Sequence, residues 1–380
     1  MVEWKTIEDI GSFFGGLTGK TKEDFKEGNA KFITYMNVFL NPSLNPSVVG
    51  VVKINEGEKQ NKIQKGDILF TGSSETPEET GMSCVVTDEL EGDFYMNSFC
   101  FGLRLFTPEL YNLHYLKHLL RSELVRKSIA KAASGVTRFN ISKARFSKIE
   151  IPFPSLSEQT RIVGILDTFT ASIENLKEQI KLRRKQYEYY RDQLLDLEGK
   201  PGVEIGDIAL LVKERIDASK LNSENYTSVE NLLKDKAGRK DAENIPTEGN
   251  WIKYKKGDIL IGNIRPYLRK IWLSDREGGT NGDVIVVRCN GSILPRYLFF
   301  ALSSEKFFVY YNQSLKDGKM PRGEKSRVLS YIINVPSLQE QQRIVSILDT
   351  FEASIENLEA QLKQREKQYE YYRNKLLIFE

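Results

Sequence analysis

Between residues 154 and 197, apolar side chains fall at Ile162, Leu166, Phe169, Ile173, Leu176, Ile180, Tyr187, Tyr190, Leu194 and Leu197, in steps of four and three broken only at Arg183. That rhythm predicts a long helix with a coiled-coil seam. The register returns at Ile344, Leu348, Phe351, Ile355, Leu358, Leu362, Tyr369, Tyr372, Leu376 and Phe379, broken at Arg365. Residues 154–197 and 336–379 agree at about 31 of 44 positions at an offset of 182, so the chain contains an internal duplication. Ser155 with Glu158 and Ser337 with Glu340 form capping boxes just after Pro154 and Pro336 and set the helix starts. About six heptads exceed the needs of a helix that only docks on its own domain, so the two seams are expected to pair with each other.

The intervening segments carry mixed strand, turn and short-helix signals, which predict α+β (or α/β) globular domains. The chain parses as a domain at 1–154, a helix at 155–198, a second domain at 199–336 and a second helix at 337–380. The domains share a faint, ordered likeness: Lys65-Gly66-Asp67-Ile68-Leu69 answers Lys256-Gly257-Asp258-Ile259-Leu260, and Gly135 and Gly318 sit in polar, basic loops shortly before each proline. A helix of about 43 residues spans roughly 65 Å, whereas a compact domain of about 137 residues is only about 37 Å across. The second domain cannot bridge a helix end to end, so an antiparallel pair with the domains at opposite ends is expected. A parallel pair would also set Arg183 against Arg365 in the seam. Residues 32–52, interrupted by Asn41-Pro42 and Asn45-Pro46, read as a turn-rich loop between strands.

Over its 380 residues the chain carries 55 Lys plus Arg against 52 Asp plus Glu, which excludes a histone-like polycation. The charge is nonetheless uneven. Residues 104–148 hold ten basic and two acidic residues, residues 1–103 hold nine and sixteen, and residues 251–327 hold fifteen and seven. Basic loops with interleaved short polar residues suit DNA, since cations meet phosphates and Arg or Asn reach base edges. The candidates are Thr137, Arg138, Asn140, Lys143 and Arg145 in the first half, and Asn263, Arg265, Tyr267, Lys319, Arg322 and Lys325 in the second.

Catalytic signals fail. The run 15–21 ends in Gly19-Lys20-Thr21 but places Phe14 where a P-loop needs glycine, leaving Lys20 and Thr21 only as candidate phosphate contacts. His114 and His118 have helical i, i+4 spacing, yet Tyr115 stands where a metalloprotease glutamate belongs, so surface or half-buried helix positions are expected. Asn41-Pro42-Ser43-Leu44 lacks the second proline and aromatic ring of an amine-methylating loop. Cys84, Cys100 and Cys289 are too few and scattered for a disulfide framework or zinc site, and a reducing cytoplasm is expected. With Glu3, Lys5, Glu8 and Asp9 among its first residues no signal peptide is expected, and prolines interrupt the longest uncharged run, so no membrane span is expected either.

The twice-used Pro-Ser-Leu-x-Glu-Gln-x-Arg-Ile-Val-x-Ile-Leu-Asp motif opening a long helix, after a divergent domain with Lys-Gly-Asp-Ile-Leu, resembles the specificity subunit of type I restriction–modification systems over essentially the whole chain. The resemblance implies two target-recognition domains, each reading half of a bipartite double-stranded DNA site, held apart by an antiparallel helix pair. It implies a non-catalytic adaptor without a cofactor of its own. Two modification subunits, docked on the helices, would bring S-adenosylmethionine, and restriction subunits would bring ATP and magnesium. A coiled-coil adaptor that joins proteins without reading DNA is the competing reading.

Overall fold

A computed structural model describes residues 2–196, 202–313, 315 and 320–379. The chain divides into two compact units, residues 1–177 with 360–380 and residues 178–359, so both long helices contribute to both units.

In the first unit an antiparallel four-stranded sheet runs in the order Gly11–Gly15, Cys100–Leu105, Ile68–Thr71, Ser83–Val85. The second unit has a counterpart in the order Ala209–Leu211, Val284–Cys289, Ile259–Gly262, Ile271–Leu273. The central strand of each is the Ile-Leu of the repeated pentapeptide. Gly66 and Gly257, both with φ of 89°, make the turn into it. Asp67 and Asp258 then take a fork from the neighbouring strand: Arg104 holds Asp67 through Nε at 2.9 Å and a terminal nitrogen at 2.7 Å, and Arg288 holds Asp258 at 2.8 and 2.7 Å. The same carboxylates accept from the Gln64 and Lys255 amides, closing both turns. Around these sheets lie smaller three-stranded sheets and paired helices, Leu113–Leu119 with Glu123–Ala132 and Pro295–Leu302 with Glu305–Asn312. The architecture is α+β.

Just before each long helix a two-stranded ribbon closes the domain, Glu3–Thr6 against Glu150–Phe153 and Gly202–Glu204 against Ile332–Asn334. The helices follow at Leu156–Leu195 and Leu338–Leu376. Gln159 and Gln341, both buried, tie each start to its domain. Gln159 accepts from the Asn112 amide at 3.1 Å and donates to the Pro154 carbonyl at 2.9 Å, while Gln341 accepts from the Leu294 amide at 2.8 Å and donates to the Pro336 carbonyl at 2.9 Å.

Within each unit the two helix segments run antiparallel, as the lengths of helix and domain predict. In the first unit Phe169 stacks on Tyr372 at 5.2 Å and Lys177 pairs with Glu366 at 3.5 Å; in the second, Tyr190 stacks on Phe351 at 5.4 Å and Arg184 pairs with Glu359 at 2.6 Å. The seam-breaking arginines lie over aromatic rings, Arg365 over Phe169 at 5.6 Å and Arg183 over Phe351 at 5.8 Å. That placement gives each cation a π face instead of a second cation.

Three expectations change. The stripe does not serve helix pairing alone: Ile162 and Leu166 enter the core of the first unit beside Ile151 and Phe153, and Ile344 and Leu348 enter that of the second beside Tyr297 and Val328. Leu377, one residue past the second helix and outside the predicted seam, is fully buried in the first core. Leu197 lies outside the described residues. Residues 32–52 are not all loop, since a helix at Tyr35–Leu40 interrupts them, capped by Thr34 Oγ1 accepting from the Asn37 amide at 3.2 Å. The buried Asn37 carboxamide donates to the Asn45 and Val48 carbonyls and so braces the prolines that follow.

The domain–helix joints differ in one respect. In the first unit His118, 1% exposed, sits between Asp167 at 2.7 Å and the Tyr369 hydroxyl at 2.9 Å, so both ring nitrogens are taken. It is neither superficial nor half-buried, as its spacing had suggested. Burial pushes its imidazole below the ordinary histidine range, although its bond to Asp167 opposes that. In the second unit Arg296 pairs with Asp349 at 2.8 Å and with Glu352.

Gln159→Ala and Gln341→Ala each strand a buried amide and carbonyl, and each is expected to loosen its own unit by about 1–3 kcal/mol, read as faster amide exchange confined to that unit. Because His118 is held neutral below its unfolded pKa of 6.5, the unfolded chain takes up the proton first. Its contribution is therefore complete above that pH and lost as pH falls below it. Exchange in the first unit is expected to quicken on acidification through that window and to lose the step in His118→Gln.

Candidate nucleic-acid interface

In the first unit the strand Ile68–Thr71 runs into Ser73–Ser74, on which Phe139–Ile141 pairs antiparallel, with Ala133–Ser134 on its other side. The hairpin tip projects residues 135–138. Gly135, at φ 151°, is required there, because a Cβ would meet the Arg138 carbonyl oxygen at 2.0 Å. Val136 is 90% exposed, and Thr137, Arg138 and Asn140 are exposed beside it. Arg138 donates from Nε to Ser73 Oγ at 3.0 Å and lies 5.7 Å over the Phe99 ring, itself 58% exposed. Lys143 Nζ stands 5.5 Å over Phe101. Arg145 is exposed but reaches the Lys131 and Ala133 carbonyls at 3.3 Å, capping the end of the helix Glu123–Ala132.

The second unit repeats the plan with other side chains. Ile264, just beyond the strand Ile259–Gly262, bridges antiparallel to Arg322; the Arg265 amide donates to the Pro321 carbonyl at 2.8 Å, and the Gly323 amide to that of Asn263 at 3.2 Å. Two loops singled out separately along the chain thus meet as one edge. Arg265 and Arg269 take left-handed backbones at φ 49° and 51° and bracket the turn Pro266–Leu268, which presents Tyr267 at 49% exposure. Arg322 Nε donates to Asp283 Oδ1 at 3.0 Å, and Lys325 Nζ to the Gly282 carbonyl at 2.6 Å. Lys319 and Gly318 lie outside the described residues.

Several candidates are committed elsewhere. Lys20 is no free cation: its side chain is 5% exposed and binds Glu58 Oε2 and the Lys53 carbonyl, each at 2.6 Å. The bond from Lys20 holds the Glu58 carboxyl down at about 2. Thr21 gives its amide and hydroxyl to Asp24, each at 2.8 Å, and only a short 3-10 turn, Glu23–Phe25, follows, so no helix N-terminus faces a phosphate here. Asn263 is 4% exposed, its Oδ1 accepting from Tyr311 at 2.5 Å, which makes it a support rather than a reader. Of the ten basic residues in 104–148, Arg121 and Arg126 are structural. Arg121 donates to the Val38, Phe39, Asn41 and Ser83 carbonyls and Arg126 to those of Glu78, Thr80 and Gly81, and burial pushes both guanidinium groups down to about 10.

Sequence reasoning missed Ser73, Phe99 and Asp283. Ser73 and Asp283 each hold a candidate arginine, and Phe99 lies under Arg138. Only Ser73 carried a signal, its place a few residues past the repeated pentapeptide. Among the described residues no group of three His, Cys, Asp or Glu side chains is placed to hold a metal ion. Burial pushes the Cys84 and Cys100 thiols up to about 12, which suits packing rather than nucleophilic chemistry.

The family described as type I restriction modification DNA specificity domain matches residues 1–184 and 200–366. The chain belongs to that family. A Haemophilus influenzae protein named as a type I restriction enzyme specificity subunit is 32% identical over 269 residues, covering 65% of this chain and 68% of its own length. A type I restriction enzyme specificity subunit of Escherichia coli is 31% identical over 262 residues, covering 63% and 65%, so the match spans just under two thirds of that relative. The S subunit of a type I restriction–modification system from M. genitalium shares the fold, with a TM-score of 0.55 at 18% identity over 100% of this chain and 97% of that one. A chain solved in work on assembly and conformational transition of the type I system gives a TM-score of 0.60 at 16% identity, over 99% and 96%. The two family segments correspond to the two halves of the internal repeat, and DNA sequence recognition in a restriction–modification system is the role this membership gives. No described helix is long and apolar enough to cross a membrane.

Lys20→Met is expected to weaken the fold around Glu58 while leaving DNA affinity and its salt dependence unchanged. Thermal unfolding and binding titrations at several salt concentrations separate the two effects.

Proposed function

We propose that this specificity protein reads a two-part double-stranded DNA site, one part with each globular domain, on behalf of a type I complex. One observation carries this reading: both units build the same frame, a glycine turn, an aspartate–arginine fork, a central strand and a docked edge, yet present different side chains on it. Arg138, Thr137 and Phe99 stand exposed on one, and Arg322, Arg265 and Tyr267 on the other. A constant frame with different donors and apolar groups is what two unlike half-sites demand of the major groove.

In this reading the chain is non-catalytic and acts in the cytoplasm. Two modification subunits supply S-adenosylmethionine and methylate adenine, and restriction subunits supply ATP- and magnesium-dependent translocation and cleavage. The helices offer the modification subunits a repeated surface, because Tyr189 at 61% exposure answers Tyr371 at 58%. Exposed tyrosines of this kind favour partner binding.

Selection of the assembled complex on random DNA is expected to return two short motifs at a fixed gap. One continuous motif, or binding indifferent to sequence, would overturn the reading, the latter in favour of an adaptor that only joins proteins.

A further inference from the structure

Arg138 and Arg322 occupy corresponding places, at the edge that docks on the residues following the repeated central strand. Phe139 and Asn140 pair with Ser74 and Ser73, and Arg322 bridges to Ile264. Each guanidinium is gripped through Nε, Arg138 by Ser73 Oγ and Arg322 by Asp283 Oδ1, both at 3.0 Å. Among the described residues, no protein hydrogen bond takes the terminal nitrogens of either arginine, and both side chains are exposed, 57% for Arg322.

The grips are themselves anchored. Ser73 is 6% exposed, and its carbonyl accepts from the Tyr35 hydroxyl at 2.8 Å. The Asp283 amide donates to Asn281 Oδ1 at 3.1 Å, and its carbonyl accepts from the Asn263 amide at 2.8 Å. A guanidinium held at Nε is restrained in direction, and its terminal amino groups remain as a pair of donors. A fork of this kind fits the paired O6 and N7 acceptors of guanine in the major groove and fits a phosphate as well, but only the guanine contact carries a base preference. The Asp283 carboxylate also disfavours a phosphate at that position.

We propose that Arg138 and Arg322 each read a guanine, one in each half of the DNA site, with Ser73 and Asp283 as positioning residues. The two domains reach the same chemistry by different means, a buried hydroxyl plus the Phe99 ring in one and a carboxylate in the other. The proposal rests on the two-part reading above and adds the base and the residues that fix it.

The test is selection on random DNA with the assembled complex carrying Arg138→Lys, Arg322→Lys, Ser73→Ala, Asp283→Ala or Asp283→Asn, beside the unsubstituted chain. Lysine keeps the charge and removes the fork. Arg138→Lys and Ser73→Ala are expected to flatten one guanine position in one motif only, by at least about fivefold, and Arg322→Lys and Asp283→Ala one position in the other. The remaining positions, the gap and the salt slope stay as they were, and Asp283→Asn, which retains an acceptor, keeps the preference. Unchanged guanine preference in the lysine variants, or uniform weakening at every position, overturns the guanine assignment while leaving a split site intact. Failure of the unsubstituted complex to select two motifs overturns the two-part reading itself.

Discussion

A single buried carboxamide at the start of each long helix fixes where everything else in its unit can be. Gln159 and Gln341 each accept from a domain amide and donate to the carbonyl of the proline before the helix, so the domain and the first helical turn share one hydrogen-bonded joint. With the joint set, Ile162 and Leu166, or Ile344 and Leu348, have no direction left but the domain core. A long helix that only paired with another helix could rotate or slide against its domain. One whose first turns are buried in that domain cannot, because shifting it by a residue would expose leucine and isoleucine and strand a buried amide.

The same economy explains which parts of the repeat stayed alike. The helices must satisfy two surfaces at once, the domain core near their starts and the other helix beyond, and the residues that meet both demands recur nearly unchanged 182 positions apart. Inside the domains only the frame of the central strand is so constrained: the glycine turn, because its φ of 89° is costly for any other residue, and the aspartate, because a buried carboxylate needs its arginine fork. The exposed residues of the docked edge, Thr137 and Arg138 in one unit and Arg322 in the other, lie outside the domain cores, which leaves them free to differ.

That division also decides what was legible beforehand. The helices and the duplication follow from periodicity and self-comparison, because burial on a helix imposes a spacing that sequence records directly; the antiparallel sense follows from the lengths of helix and domain, and the α+β class from the mixed strand and turn signals between the helices. The pairing of Asn263–Tyr267 with the loop at Pro321–Arg322 was not legible, since two segments more than fifty residues apart meet only through the sheet. Nor was the fate of individual cations. Arg121 and Arg126 look like their exposed neighbours in sequence, and only the carbonyls converging on them reveal an internal role. The engagement of Lys20 is hidden for the same reason: its partners Lys53 and Glu58 come from a distant turn. His118 kept the right spacing for a surface helix and still became the buried centre of a joint, because Asp167 and Tyr369 reach it from both long helices.

Sorting the cations this way changes what kind of DNA binder the chain can be. Within residues 104–148, Arg104, Arg121 and Arg126 neutralise or brace the domain interior and Arg145 caps a helix, whereas Arg138 and Lys143 stand at the exposed edge. In the second unit Arg288 and Arg296 are spent on Asp258 and on the helix, and Arg322 at the exposed edge pairs with Asp283. A protein that commits many of its cations inside the fold gains nothing from those cations by counterion release. Its selectivity has to come from donors whose geometry is set before DNA arrives. Side chains pinned at one nitrogen and open at the others meet that need, because their conformational cost is borne in folding rather than in binding.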